Sequence, residues 1–286
     1  MTKKDITARI QQHAASFSKG QRRIADVILS TYDKVAYMTA SKLGEACGVS
    51  ESTVVRFATE LGYSGYPEMQ KAIRDLLRTR LTPNQRIAVS NSLPESVDPL
   101  MGVLTADMAR IKGTLENLDR VAFDHAVEVL CGAEQIYIFG SRSSATLAYF
   151  LSFNLELTAE NIKLIAPSSA SEVFEQIFSI HEGDVLFVIS FPRYSKKAVD
   201  AAKYARAQGA TVIALTDSSL SPLAPHADHL LIAESDMVSF VDSLVAPLSV
   251  LNAIMVAVAA QKQQEITARF DRLEKLWDEY GVYDKS

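Results

Sequence analysis

Two short stretches of this chain carry side chains suited to holding an anion. Gly140-Ser141-Arg142-Ser143-Ser144 follows an apolar run and opens a helical pattern, and Ser190-Phe191-Pro192-Arg193-Tyr194-Ser195 repeats that context. Serine hydroxyls supply directional donors and a guanidinium supplies charge. A helix N-terminus adds oriented N–H groups and a favourable dipole. The candidate ligands are Gly140, Ser141, Arg142, Ser144, Ser190, Arg193, Tyr194 and Ser195. Ser141, Ser144, Ser190 and Ser195 would donate hydroxyl bonds, and Tyr194 would bond a hydroxyl of the ligand or pack on its ring. Serine is also a common helix cap, so plain capping is the alternative. Two such loops after successive long strands make anion binding the more specific reading.

A third stretch is suited to reading DNA. Thr39–Leu61, TASKLGEACGVSESTVVRFATEL, reads as two short helices joined by a tight turn. Thr39 and Ser50 can each cap a helix, and Gly48 sits where a positive φ is cheap only for glycine. Leu43, Cys47, Val49, Val54 and Phe57 are spaced to meet in one small core, and Gly44 lets the helices approach. This is the pattern of a DNA-binding helix-turn-helix; an ordinary helical hairpin is the alternative. From its Ser50 cap the second helix presents Glu51, Ser52, Val55, Arg56 and Thr59 on the open face, with Thr53 at its edge. Ser50, Glu51, Ser52, Thr53 and Arg56 are the candidate DNA contacts. Arg56 and Ser52 would reach base edges or nearby phosphates, and Thr53 the backbone.

No stretch offers catalytic machinery. Moving a proton next to a carbonyl needs a base. His181, His226 and His229 precede strands, at the wrong end of a parallel sheet, while His13 and His125 lie in helices. Glu172, after the Ile162–Ile165 strand, is the one carboxylate to suspect as such a base, and helix solvation is its ordinary role. Asp217 ends a strand and reads as a turn cap. No metal-ligand cluster, nucleophile–base pair or cofactor motif is visible. Cys47 and Cys131 fall in separate apolar patterns and read as core residues of a reduced, cytoplasmic protein. No signal peptide is visible. Leu244–Ala260 is the most apolar segment, but Pro247, Ser249 and Asn252 interrupt it. It reads as a buried or interface helix, not a membrane span.

Charge is divided unevenly. Residues 1–80 carry thirteen Lys/Arg against eight Asp/Glu, and the remainder sixteen against twenty-six, within a net charge of −5. The basic part is the part with the helix-turn-helix. It attracts a polyanion through counterion release, and the acidic remainder repels one.

The elements that position these residues follow from periodicity. Ile6–Phe17, then Lys19–Ser30 capped by Ser18, then a short piece at Tyr32–Tyr37 lead into the helix-turn-helix, and Glu68–Arg80 closes an all-α domain. Leu81–Pro99, with its prolines, serines and asparagines, is a linker. Helices follow at Leu100–Leu118 and Asp119–Leu130. Then short apolar runs alternate with helices: strands at Ile136–Gly140, Ile162–Ile165, Val185–Ser190, Thr211–Asp217 and His229–Ala233, with helices at Ser143–Leu157, Ser171–Ile180 and Lys196–Gln208. Helices at Asp242–Gln264 and Ile266–Tyr280 finish the chain. The expectation is an all-α helix-turn-helix domain over 1–80, a linker over 81–99, and over 100–286 an α/β three-layer domain with a parallel sheet. Ligands of such sheets bind beyond the C-terminal strand ends.

VSESTVVRFATELGYSGYPEMQ, a linker, then a strand–GSRSSATLA loop and an ISFPRYS loop resemble the RpiR-type bacterial transcription regulators. The resemblance covers nearly the whole chain. It implies a double-stranded DNA operator as partner, a sugar-isomerase-type (SIS) effector domain that senses a phosphosugar or related anion, and a homodimer or homotetramer, with no membrane partner. Leu244–Ala260 is then a candidate interface helix. Two departures stand out. The family's first loop resembles Gly-x-Gly-x-Ser, and Arg142 replaces its second glycine. Its second loop resembles Ser-x-Ser-Gly-x-Thr, and Pro192-Arg193 replace Ser-Gly. Two other functions stay open: a phosphosugar isomerase with an accessory helical domain, and a DNA-binding regulator with a degenerate sensor.

Overall fold

The computed structural model describes residues 6–80, 84–87, 98–167, 169, 171–236 and 241–284, without the side chains at 33, 75 and 78–80. The chain divides into two compact units, an N-terminal one and one that holds Val97–Asp236 and Asp242–Ser286.

The described part of the first unit is helical. Its elements are α1 (Ile6–His13), α2 (Lys19–Ser30), α3 (Tyr32–Val35), α4 (Ala40–Cys47), α5 (Glu51–Glu60) and α6 (Tyr66–Arg80). α1 stops short of the expected Phe17. Its last carbonyl, on His13, bonds the N–H and hydroxyl of Ser16, so the chain turns out of the helix. Phe17 still reaches the core and packs on Phe57, ring centroids 5.2 Å apart. Ser18 caps α2 in a full capping box with Gln21. The piece at Tyr32–Tyr37 is a one-turn helix. α6 starts two residues earlier than expected, at Tyr66. The shared core holds Ile24, Leu43, Val54, Phe57, Met69 and Ile73.

The second unit opens with α7 (Pro99–Asn117), capped by Asp98. Pro99 therefore belongs to a helix and not to the linker; of the linker's other residues, 84–87 form a helical turn, and 81–83 and 88–97 lie outside the described residues. α8 (Arg120–Gly132) is capped by Asp119. Then come β1 (Ile136–Gly140), α9 (Ser143–Glu156), β2 (Ile162–Ile165), α10 (Glu172–Gln176), β3 (Val185–Ile189), α11 (Lys196–Ala207), β4 (Thr211–Thr216) and β5 (His229–Ile232). α12 (Val245–Gln261) and α13 (Gln263–Tyr280) close the unit and meet at 99°. α10 is shorter than the expected Ser171–Ile180. The chain leaves it through a tight turn, Ile180 N–H to Ile177 O, that sends Ile177 and Ile180 into the core.

The five strands are all parallel, in the order β2-β1-β3-β4-β5. Alternate residues serve opposite faces. Ile136, Ile138, Val185, Phe187, Ile213 and Leu215 meet α8, α9 and α12. Tyr137, Phe139, Leu186, Val188, Val212 and Ala214 meet α10 and α11. Three layers result, α/β/α. α12 buries Ala246, Val250, Leu251, Ile254 and Val258 in its own unit. No single helix among the described residues is long and apolar enough to cross a membrane.

Gly44 sets the spacing of α4 and α5. A Cβ there would stand 2.8 Å from the Val49 carbonyl oxygen, a backbone atom with little room to move. Gly44→Ala is expected to cost about 1–3 kcal/mol by overpacking. Urea unfolding of the full chain checks it, and an unchanged first transition would show that the two helices part without loss.

Candidate functional site

The first candidate surface is built on α5. Gly48 ends α4 in the left-handed region at φ 61°, and its N–H returns to the Gly44 and Glu45 carbonyls. Arg23 of α2 donates to the Gly48 carbonyl at 3.1 Å, a brace that sequence spacing did not reveal. The turn delivers Ser50 as the cap of α5. Its Oγ accepts the Thr53 N–H and lies 2.9 Å from Ser52 Oγ and 2.8 Å from Thr53 Oγ1. Val54, Phe57 and Ala58 are buried. Glu51, Ser52, Val55, Arg56 and Thr59 are exposed and Thr53 is half-buried, as their spacing predicts. Arg56 lies back along its helix, Nε 3.4 Å from the Ser52 carbonyl. Cys47 is buried beneath this surface, and burial pushes its thiol pKa up, so it is a core side chain.

The second candidate site is at the sheet. β1 feeds α9 on one face, while β3 feeds α11 on the other. With β1 and β3 adjacent, the strand order reverses between them and their following loops diverge over a crevice. Gly140 pairs with Ile189 at the ends of these strands, so the two hydroxyl-and-arginine loops begin side by side.

In the first loop, a Cβ on Gly140 would stand 2.2 Å from the Ser144 carbonyl oxygen, so only glycine fits this close turn. Ser144 is buried, Ser141 half-buried and Arg142 exposed. Arg142 has φ 58° and ψ −124°, the one positive-φ non-glycine residue among those described. This is a conformation that glycine adopts without strain. An arginine held there costs on the order of 1–3 kcal/mol.

In the second loop, Ser190 is buried and its Oγ accepts the Ser195 N–H at 3.0 Å. The hydroxyl keeps its own proton to donate. Ser195 caps α11 by accepting the Ala198 N–H. Arg193 is exposed. The Tyr194 hydroxyl donates its proton to Asp217 Oδ1 at 2.8 Å, which leaves the phenol oxygen to accept and the ring to pack. Asp217 in turn receives this phenol and is more than a turn cap. Thr216, fully buried, donates to the Ser190 carbonyl at 2.8 Å and ties the end of β4 to the loop. The sequence marks Thr216 only as the polar end of an apolar strand.

The groups an isomerase would need are not gathered here. Among the described residues, Glu172 opens α10 after β2, but His181 and His226 precede β3 and β5 and His229 begins β5, at the opposite edge of the sheet. There Glu134, His181 and Asp184 bring ligand atoms within 4.8 Å of one another, a cluster that sequence spacing did not show. Local bonds engage it: Asp184 Oδ2 accepts the His181 N–H, and His181 Nδ1 meets the Glu182 carbonyl at 2.7 Å. That carbonyl, and then Asp184, raise the His181 pKa.

Comparison with known proteins agrees with this architecture. Residues 4–79 match the helix-turn-helix domain of the rpiR family, and residues 130–257 match the SIS domain. The HTH-type transcriptional regulator HexR of Pseudomonas aeruginosa is 28% identical over 281 residues, covering 95% of each chain. HexR of Escherichia coli is 29% identical over 229 residues, 78% of this chain and 75% of that one. The sugar isomerase domain of an RpiR transcription factor from Sphaerobacter thermophilus is 27% identical with a TM-score of 0.59, over 61% of this chain and 97% of that one. NanR of Vibrio vulnificus, solved with ManNAc-6P, shares the fold at 21% identity and a TM-score of 0.60, over 96% of this chain and 98% of that one. A turn-braced reading helix, a parallel sheet and both family matches in this order make the chain a member of the RpiR family: a DNA-binding transcriptional regulator that joins a helix-turn-helix to a SIS domain.

Proposed function

We propose that this regulator grips a double-stranded operator through Ser50, Glu51, Ser52, Thr53 and Arg56, and that a phosphosugar or related anion bound at the β1/β3 crevice changes that grip. The DNA-binding domain spans 1–80, and 100–286 holds the effector and pairs the chain as a homodimer or homotetramer. Pairing lets two reading helices meet half-sites about 34–36 Å apart. The ligand acts only through different affinity for two arrangements of the paired DNA domains.

The observation that carries the effector reading is the crevice itself. Gly140, Ser141, Arg142 and Ser144 flank it on one side, and Ser190, Arg193, Tyr194 and Ser195 on the other. α9 and α11 both begin there, and a helix N-terminus adds roughly 0.3–1 kcal/mol for an anion at an exposed site. Hydrogen bonds from a guanidinium add about 1.5–3 kcal/mol each. A cation beside a helix N-terminus is disfavoured unless an anion joins it, so Arg142 and Arg193 by themselves stand against local electrostatics.

Three outcomes test this. Arg56→Ala should weaken operator binding by about 1–3 kcal/mol and relax sequence preference; fluorescence anisotropy at moderate salt reads it, and unchanged binding counts against Arg56 as a reader. In calorimetry with a phosphosugar found by thermal-shift screening, Arg193→Ala and Ser144→Ala should each weaken binding by at least about tenfold, since a charged hydrogen bond is worth ~1.5–3 kcal/mol. A ligand that regulates DNA binding yet ignores both substitutions binds elsewhere, and no ligand at all would favour the degenerate sensor. Arg142→Gly should separate stability from binding. Relief of the strained φ should raise the melting stability of the free protein by on the order of 1 kcal/mol, after the added chain entropy of glycine, while ligand affinity falls. A loss of both, or of neither, would remove Arg142 from the site.

A further inference from the structure

Two helices of the second unit carry apolar stripes: their own unit leaves the one on α7 open and covers the one on α13 only in part. On α7, Met101, Leu104, Met108, Ile111 and Leu115 stand alternately three and four residues apart. That is the spacing of a coiled-coil seam. All are exposed, Leu115 at 81% and Met108 at 64%, with Leu100 beside them at 65%. The polarity of α7 is inverted. Its packed face is the polar one: Arg110 and Thr114 are buried, Arg110 pairs with Asp107 at 2.9 Å, Asp107 accepts the Ser243 hydroxyl and Thr114 accepts the Glu234 N–H. A helix that turns charge inward and leucine and methionine outward is shaped to meet something apolar.

α13 has the matching stripe: Ile266, Phe270, Leu273, Trp277 and Tyr280, spaced alternately four and three apart. Its first turns are tied down. Ile266 is buried, and Arg269 bonds Glu160 and the Glu156 carbonyl. The rest leaves α12 at 99°, with Leu276, Tyr280, Val282 and Tyr283 exposed.

We propose that α13 of one copy docks along α7 of a second copy, and that two-fold symmetry repeats the contact. This rests on the homo-oligomer reading above and moves the interface from Leu244–Ala260 to these two helices. Burying a Leu, Met or Ile removes roughly 60–120 Å² of apolar surface from water at ~25 cal/mol per Å². The α7 patch alone is then on the order of 500 Å², and with α13 the total reaches the about 800 Å² per partner that a stable interface buries. An exchanged contact lies off the two-fold axis and is made twice, so both stripes are covered together. A self-paired α7 or α13 must straddle the axis, which is harder to satisfy for both at once.

The test uses the full chain in sedimentation velocity and photo-crosslinking. Wild type is expected to be at least dimeric at micromolar concentration. Leu104→Glu with Met108→Glu should weaken self-association at least tenfold with far-ultraviolet dichroism unchanged, because both side chains are exposed. Leu104→p-benzoylphenylalanine should give a dimer-sized product under light, its cross-linked peptide mapping to residues 263–284. A dimer of wild-type strength in the double variant, or a cross-link mapping elsewhere, overturns this interface and leaves the homo-oligomer reading standing. A wild-type monomer overturns both.

Discussion

Every strand of the sheet must be covered on both faces, and that constraint decides where the second unit can be polar. The inner strands β1, β3 and β4 are almost wholly buried, so their side chains are apolar on either side. Polar chemistry is confined to strand ends. At the C-terminal ends, helices leave toward opposite faces from β1 and β3. Ser141, Ser144, Ser190 and Ser195 stand at that edge because the layers leave polar side chains nowhere else nearby. The same constraint explains the packing of α11, which lies on the sheet through Ala198, Ala201, Ala202 and Ala205, all fully buried.

The first unit meets a different constraint, set by backbone distance. α4 and α5 approach so closely at Gly44 that the Val49 carbonyl sits where a methyl group would be. Gly48 then turns the chain through the left-handed region. These two glycines fix the angle at which α5 leaves the core, and so which residues stand outside. Ser50 completes the turn by bonding Thr53, and its neighbouring hydroxyls hold one another at the start of the exposed face. The positive charge of residues 1–80 draws DNA toward this unit without selecting a sequence. In the proposed reading, selection belongs to the few side chains that α5 holds outward.

The two loops at the crevice show how a family pattern is bent. Arg142 holds a backbone conformation suited to glycine, the residue the resemblance implies there, and adds a charge. Where related loops carry Ser-Gly, Pro192 withdraws a backbone donor and Arg193 supplies a cation. Both loops thereby carry a guanidinium group at the same edge. Tyr194 is drawn the other way, its proton held by Asp217.

The sequence by itself determined the elements and their order. Periodicity and caps located α2, α4, α5 and all five strands to within a residue or two, because capping and apolar spacing act over a few neighbouring residues. It also placed the two loops at one edge, since strands that alternate with helices run parallel. Tertiary structure decided the rest. The strand order 2-1-3-4-5 brings the Gly140 and Ser190 loops together across β1 and β3, and no local signal encodes which strands are neighbours. It decided that Tyr194 serves Asp217, a residue twenty-three positions away. It showed that Arg142 stands in a glycine's backbone conformation. It turned α7 so that Arg110 and Thr114 face inward while Met108 and Leu115 face out. Helical spacing shows that a helix has two faces. Which face is covered depends on what the rest of the chain, or a second chain, brings against it.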